Sequence, residues 1–280
     1  MNLAGTVLVL SSLLAIPAPV QEVGTVTFLE GSLRIIRGTT ALQAGEGVRL
    51  RRGDIIESSD GGFAELEFVE GAIVAIGPSS RLYILREGAG GKSGTDTAEA
   101  ELVLLSGWLK GQSDSGAGKY RYQCPLLAAT TGKGTVVFHS DGDEGDVFIE
   151  SGSAAIGEVS PDGNSGKPTA GNAGQFFSRH RGKGLVNSPR PNAGFIDALP
   201  RSFRDALPSR LAHFSGKPIE PKVQHAVSYA EIQPWLTMPS SWRRGLVERF
   251  ESRLKDPEFR KQLEIHAAEH PEWGPILHPK

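Results

Sequence analysis

The sequence predicts a mainly β protein, a β-sandwich or β-roll of stacked hairpins, followed by a small α-helical C-terminal region. Three observations predict it. Glycine supplies 35 of 280 residues, well above the usual share of about 7%, and no G-X-Y period accompanies it, so collagen is excluded and turns are expected. Short runs of alternating apolar residues recur up to about residue 160, the period of strands. After residue 195 the apolar residues switch to helical spacing.

The remaining composition narrows the class. Hydrophobic residues make up 39% of the chain, enough to bury a core and to exclude wholesale disorder. The formal net charge is −2, which argues against a dedicated nucleic-acid binder. A lone cysteine, Cys124, excludes an intramolecular disulfide and a Cys-based zinc cage. It is expected to be a small buried residue.

Residues 1–20 contain an uncharged apolar run from Leu3 to Ile16, broken by Pro17 and Pro19. A core of about 14 residues fits an export signal and is short for a membrane span of roughly 20. The run is therefore read as a cleaved signal peptide, with an uncleaved inner-membrane tether as the alternative. The mature protein is expected in the periplasm, without an integral span.

Residues 23–160 repeat one pattern. Val26–Leu33, Leu66–Ile73, Leu102–Leu109 and Val147–Ala154 each carry an apolar residue, another two later, and a glycine five later. The glycines are Gly31, Gly71, Gly107 and Gly152, and each is expected to turn a tight hairpin. Further strands fit Val48–Leu50, Ile55–Ser58, Arg81–Leu85 and Val136–His139, about ten in all. Phe28, Leu33, Ile55, Leu66, Phe68, Leu82, Leu104, Trp108, Phe138 and Ile149 are the expected core.

The order of these residues carries a family resemblance. Gly53-Asp54-Ile55-Ile56, Glu70-Gly71, Ile76-Gly77-Pro78-Ser79 and Gly134-Thr135-Val136 follow one another as in FecR domains, which residues 24–160 resemble. The resemblance implies an exported, non-catalytic sensing or protein-contact module, with Gly53, Asp54, Gly71, Gly134 and Thr135 as structural motif positions. A regulator of that type carries a cytoplasmic anti-sigma segment ahead of its membrane span. The apolar run here starts at residue 3, so sigma-factor binding is not expected.

Residues 161–194 are rich in Gly, Pro, Asn and Ser and read as an exposed basic linker, with Phe176-Phe177 as a candidate returning strand. Between residues 176 and 217 there are eight Lys/Arg against two Asp/Glu. Arg179, Arg181, Lys183 and Arg190 are thus candidate contacts for peptidoglycan or another anionic glycan. Residues 195–280 form the helical region. Phe195, Leu199, Phe203 and Leu207 recur every four residues, Ser240-Ser241 can cap a helix through Leu254, and Asp256-Pro257 opens another.

Three local patterns suggest chemistry and are outweighed by their context. His266-Ala267-Ala268-Glu269-His270 matches H-x-x-E-H, but Pro271 ends its helix and no further acidic ligand follows at the needed distance. It reads as a solvated helix end. Gly90-Gly91-Lys92-Ser93 ends like a P-loop, but Arg86 replaces the first glycine and no helix opens after it. Asp141, Asp143, Glu144 and Asp146 cluster without EF-hand spacing and read as a polar turn. No G-x-S-x-G elbow is present. The expected function is therefore a non-enzyme that binds another envelope protein and needs no cofactor or metal. The alternatives are glycan binding through the basic run and a hydrolase with a site scattered along the chain.

Overall fold

The computed structural model describes residues 22–85, 100–114, 119–216 and 218–278. The apolar run of residues 1–20 and the Gly90–Ser93 pattern lie outside them. In chain order the strands begin with β1 (Glu22–Glu30), β2 (Leu33–Arg37), β3 (Thr40–Ala44), β4 (Arg49–Arg51), β5 (Ile55–Ser58) and β6 (Phe63–Phe68). Then come β7 (Ala72–Ile76), β8 (Arg81–Ile84), β9 (Ala100–Ser113), β10 (Tyr120–Gln123), β11 (Leu127–Thr131), β12 (Gly134–Ser140) and β13 (Glu144–Glu158). After β14 (Thr169–Asn172), β15 (Phe176–His180) and β16 (Val186–Ser188) comes a short helix, α1 (Ala193–Ala198). A late strand, β17 (Lys222–Ala226), precedes α2 (Tyr229–Leu236), α3 (Ser240–Phe250), α4 (Pro257–Ile265) and α5 (Gly274–Leu277).

Two sheets result. The first runs β4-β1-β6-β7-β9-β12-β13-β15-β16, antiparallel throughout. The second runs β17-β3-β2-β5-β8-β9-β10-β11-β13-β14, with β9 and β10 parallel. Two long strands belong to both. Residues 107–113 of β9 pair in the first sheet and residues 100–106 in the second. Likewise β13 crosses from the first sheet to the second at Gly152-Ser153.

The glycine pattern thus makes sheet-to-sheet corners more often than hairpins. Gly71 does sit in a hairpin, between β6 and β7. Gly31 instead ends β1, which pairs with β6, and leads into β2, which pairs with β3 and β5. Gly107 and Gly152 lie inside continuous strands at φ +93° and +73°. A positive φ bends the strand as a side chain rarely allows. The bend at Gly107 also brings Ser80 against the backbone, where Trp108 N–H donates to Ser80 Oγ at 2.9 Å.

Alternation then sorts side chains into three apolar layers. Val26, Ile35, Leu66, Val74, Leu104, Phe138 and Ile149 meet between the sheets. Ile36, Ala41, Ile55, Tyr83 and Val103 face outward from the second sheet and are covered by Trp235, Trp242, Leu246, Phe250 and Phe259 of α2–α4. Phe63, Ile73, Trp108 and Phe176 face outward from the first sheet and are covered by Phe195, Phe203 and Leu207. Strands covered on both sides read as continuous apolar runs, as Ala72-Ile73-Val74-Ala75-Ile76 does. Every expected core residue is buried except Phe28, which is half-buried beside Phe63.

The C-terminal region is therefore part of the packing. Asp256 caps α4 as expected, accepting from Glu258 and Phe259 N–H, whereas α3 begins at Ser240 after Pro239 with no side-chain cap. The segment read as an exposed linker, residues 161–194, carries β14, β15 and β16. Phe177 enters the inter-sheet layer and Phe176 the outer one. That two-residue signal outweighs the surrounding polar residues, which face solvent at the end of the first sheet.

Candidate binding cleft

Polar side chains of the second sheet line up across its strands. Gln43 pairs with Arg34, Arg34 with Glu57, and Glu57 with Arg81. Gln224 extends the row from the bulge of β17 between Val223 and His225. Residues directly opposite share a face, so Gln43, Arg34, Glu57 and Arg81 point outward together, and Gln224 lines the same cleft. Two residues further along the strands the same face carries Ile36, Ala41, Ile55 and Tyr83, under the helices. The helices cover the apolar row and leave the polar row open.

The row floors a cleft of about 670 Å³. Ser32, Ser58, Ser59, Asp60 and Ser79 complete its wall. Glu57 is the hub and is only 8% exposed. Its Oε2 accepts from Arg34 Nε at 2.8 Å and from Arg34 Nη2. Its Oε1 accepts from Trp235 Nε1 at 3.1 Å, with Arg81 Nε at 3.6 Å. Arg34 Nη1 reaches Glu231 Oε1 at 2.6 Å, which also lies 2.9 Å from His225 Nε2. Burial works to raise the Glu231 pKa, but the Ser228 N–H, His225, the Ser228 hydroxyl and Arg34 outweigh it and hold the carboxyl below its usual range. Charged hydrogen bonds of this kind fix the row in place.

One wall is strained. Ser79 has φ +51°, the one non-glycine positive φ among the described residues. Its N–H donates to Ser59 O at 3.0 Å and its Oγ to Asp60 Oδ1 at 3.3 Å. Those bonds hold a conformation that disfavours a side chain and that concentrates at binding sites.

The residues nominated from sequence lie elsewhere. Gly53 and Asp54 form the turn into β5, where buried Asp54 accepts from Arg37 Nε and Nη2 at 2.9 and 2.7 Å and from Arg51 N–H. Gly134 faces Gly152 across β12 and β13, next to Thr135 opposite Ser151. Gly71 sits in the hairpin between β6 and β7.

The basic run and the acidic turn meet. Arg181 Nε pairs with Asp143 Oδ1 at 2.6 Å, and His180 lies 3.4 Å from Glu144. Arg179 Nη1 donates to Leu126 O and Val159 O at 2.9 and 2.8 Å. Lys183 and Arg190 are exposed. Arg179 is thus tied to backbone carbonyls of the fold, whereas the Arg181 side chain is 65% exposed in its surface pair with Asp143. In the acidic turn Asp141 Oδ1 accepts from Asp143 and Glu144 N–H.

The H-x-x-E-H segment differs from a solvated helix end. Helix α4 stops at Ile265, and His270 is fully buried with Nε2 2.8 Å from the Tyr229 hydroxyl. His266 instead stacks on Tyr229 and bonds Glu269 at 3.0 Å. Among the described residues no group of three His, Cys, Asp or Glu side chains could hold a metal ion. Burial pushes the Cys124 thiol up to about 11, so it is an inert core group. No helix among the described residues is long and apolar enough to cross a membrane.

Sequence reasoning missed the polar row because its members are far apart and only register joins them. Arg34 in Leu-Arg-Ile-Ile-Arg and Glu57 after Ile55-Ile56 were the available signal, as charges inside otherwise apolar strands.

No family model and no curated protein matches this chain. Among solved structures, two crystal structures of a "putative anti-sigma factor" from Parabacteroides distasonis, at 2.50 and 1.65 Å resolution, are similar to it. Both align with a TM-score of 0.39, at 9% and 7% identity over 51% of this chain. The chain spans less than two thirds of theirs, 62% and 63%.

Proposed function

We propose that this protein is an exported, non-catalytic binding and signalling module of the FecR-like type, which contacts another protein of the cell envelope through the polar cleft. The observation that carries the reading is the open row Gln224-Gln43-Arg34-Glu57-Arg81. The chain covers the outer faces of both its sheets with its own C-terminal residues but leaves this row to solvent in a pre-built, hydrogen-bonded cleft. A pre-organised polar surface suits recognition of a partner. The motif order from Gly53-Asp54 to Gly134-Thr135 supports the FecR-like class, and the apolar run of residues 1–20 supports export.

The test places a photo-crosslinking amino acid at Gln43 or Gln224, both exposed, in the full-length protein in intact envelopes. The expected result is one discrete protein adduct from both positions, lost when Arg81 is also changed to Gln. Adducts to cell-wall sacculi instead, or a protein adduct from Val186 on the first sheet but none from the cleft, would overturn the reading.

A further inference from the structure

The hydrogen-bonding capacity of the cleft is unevenly used, and the imbalance indicates what it recognises. Glu57 and Glu231 are saturated by Arg34, Trp235, His225 and Ser228. Arg34 gives Nε, Nη1 and Nη2 to those two carboxylates. Asp60 already accepts from Ser79. Arg81 differs. The one side-chain ion pair it makes among the described residues is the 3.6 Å approach of Nε to Glu57, and its side chain is 46% exposed. Its two terminal nitrogens have no acceptor among the described residues, and the side chain lines the cleft. The side chains of Gln43 and Gln224, exposed at the other end of the row, likewise make no hydrogen bond among the described residues.

We propose, building on the protein-binding reading above, that the cleft recognises an acidic peptide segment of its partner. One Asp or Glu carboxylate sits on Arg81 in two parallel hydrogen bonds, and the two glutamines pair with peptide amides. A guanidinium with two free nitrogens matches a carboxylate in geometry as well as charge. A primary amide presents a donor and an acceptor side by side, as a peptide group does. A basic peptide finds Glu57 and Glu231 already paired with Arg34 and meets only the exposed Asp60, which accepts from Ser79. Single-stranded nucleic acid finds no aromatic platform, since no Phe, Tyr or Trp lines the cleft. A sugar face lacks the same platform.

The experiment uses the full-length protein, immobilised, and a displayed library of random ten-residue peptides. Binders are selected and then measured as labelled synthetic peptides by fluorescence polarisation. Enrichment in Asp and Glu is expected. Arg81→Gln should weaken the selected peptide roughly tenfold to a hundredfold, the size of a lost charged hydrogen-bond pair. Arg81→Lys should recover only part, because an ammonium cannot make the fork. Asp→Asn in the peptide should match Arg81→Gln without adding to it. Thermal unfolding at an unchanged midpoint shows that Arg81→Gln is folded; if it is not, the peptide substitution carries the test. Enrichment in Lys and Arg, or binding indifferent to both changes, overturns the acidic class. The crosslinks from Gln43 and Gln224 separate the two readings. If they persist while acidic peptides fail, the chemistry proposed here falls and the cleft reading stands.

Discussion

The indole N–H of Trp235 donates to Oε1 of Glu57 at 3.1 Å. One residue of α2 thereby closes the second oxygen of the carboxylate that organises the polar row, while its ring packs edge-on against Tyr83 at 6.2 Å. The helix that covers the apolar half of the sheet face also sets the geometry of the polar half.

Trp235→Phe keeps most of the ring packing and removes the donor. It should destabilise the protein by about 1–3 kcal/mol, the cost of leaving a buried acceptor unpaired. Urea unfolding measures it. An unchanged midpoint would mean that water or Arg81 replaces the indole at no cost.

Gly152→Ala should be among the most damaging single-methyl additions. The residue has φ +73°, and an added Cβ would press on Lys133 O and lie 2.9 Å from Gly134 Cα. Gly38, at φ +59°, has open space around it. Gly38→Ala should cost about 1–2 kcal/mol for the backbone conformation alone. Gly152→Ala should cost about 2 kcal/mol more, since the clash must bend two strands. Equal losses in chemical denaturation would show that the strand crossing tolerates a side chain.

Lys110 is 1% exposed on the first sheet, and its Nζ donates to Phe203 O and Asp205 O at 2.8 and 2.9 Å while pairing with Glu150. Lys110→Met fills the same space without the donors. A loss of about 2–4 kcal/mol is expected from the stranded carbonyls and carboxylate. Trypsin should also cut faster after Arg201 and Arg204, which flank the loosened contact. Cleavage at the wild-type rate would place the anchor elsewhere, for instance at Glu67, which accepts from Arg210 and Leu211 N–H.

His270 gives a pH signature. Burial holds its pKa below the ordinary value, against the upward pull of Glu269 and Glu272. The unfolded chain, at about 6.5, then binds protons that the folded one refuses. Stability should therefore fall as the pH drops below about 6.5 and level off below the folded value. Glu231 acts lower down: its depressed pKa gives stability that is lost only as pH falls through its folded value, below about 4.5. The difference between wild type and His270→Asn, followed by unfolding at pH 7.5, 6.5 and 5.5, isolates the histidine. A difference that stays constant across those three points would refute the assignment.

The strands were legible because alternation is a local property. Ile55–Ser58 has the predicted limits, and Val136–His139 lies inside β12. The four-residue spacing of Phe195, Leu199, Phe203 and Leu207 marked residues that pack on the first sheet but not one helix, because α1 ends at Ala198 before Pro200. The meaning of the glycines was not legible. A tight turn and a strand crossing both require positive φ, and only the pairing partners of Gly107 and Gly152 tell them apart. Nor could β17 be read: Lys222-Val223-Gln224-His225-Ala226 is exposed throughout and is held by β3, more than 170 residues earlier. The cleft follows from that distant pairing, so its composition was invisible while its individual charges were in plain view.

The layers over both sheets are made from the end of the chain, and the ribosome delivers them in that order. At roughly 5–20 residues per second, the segment after residue 194 takes some 4–17 s to be made. For that interval Ile36, Ile55 and Tyr83 on one side, and Phe63, Ile73 and Trp108 on the other, have no cover of their own. A nascent chain of this protein is thus a client for any hydrophobic-surface chaperone until its final helices emerge.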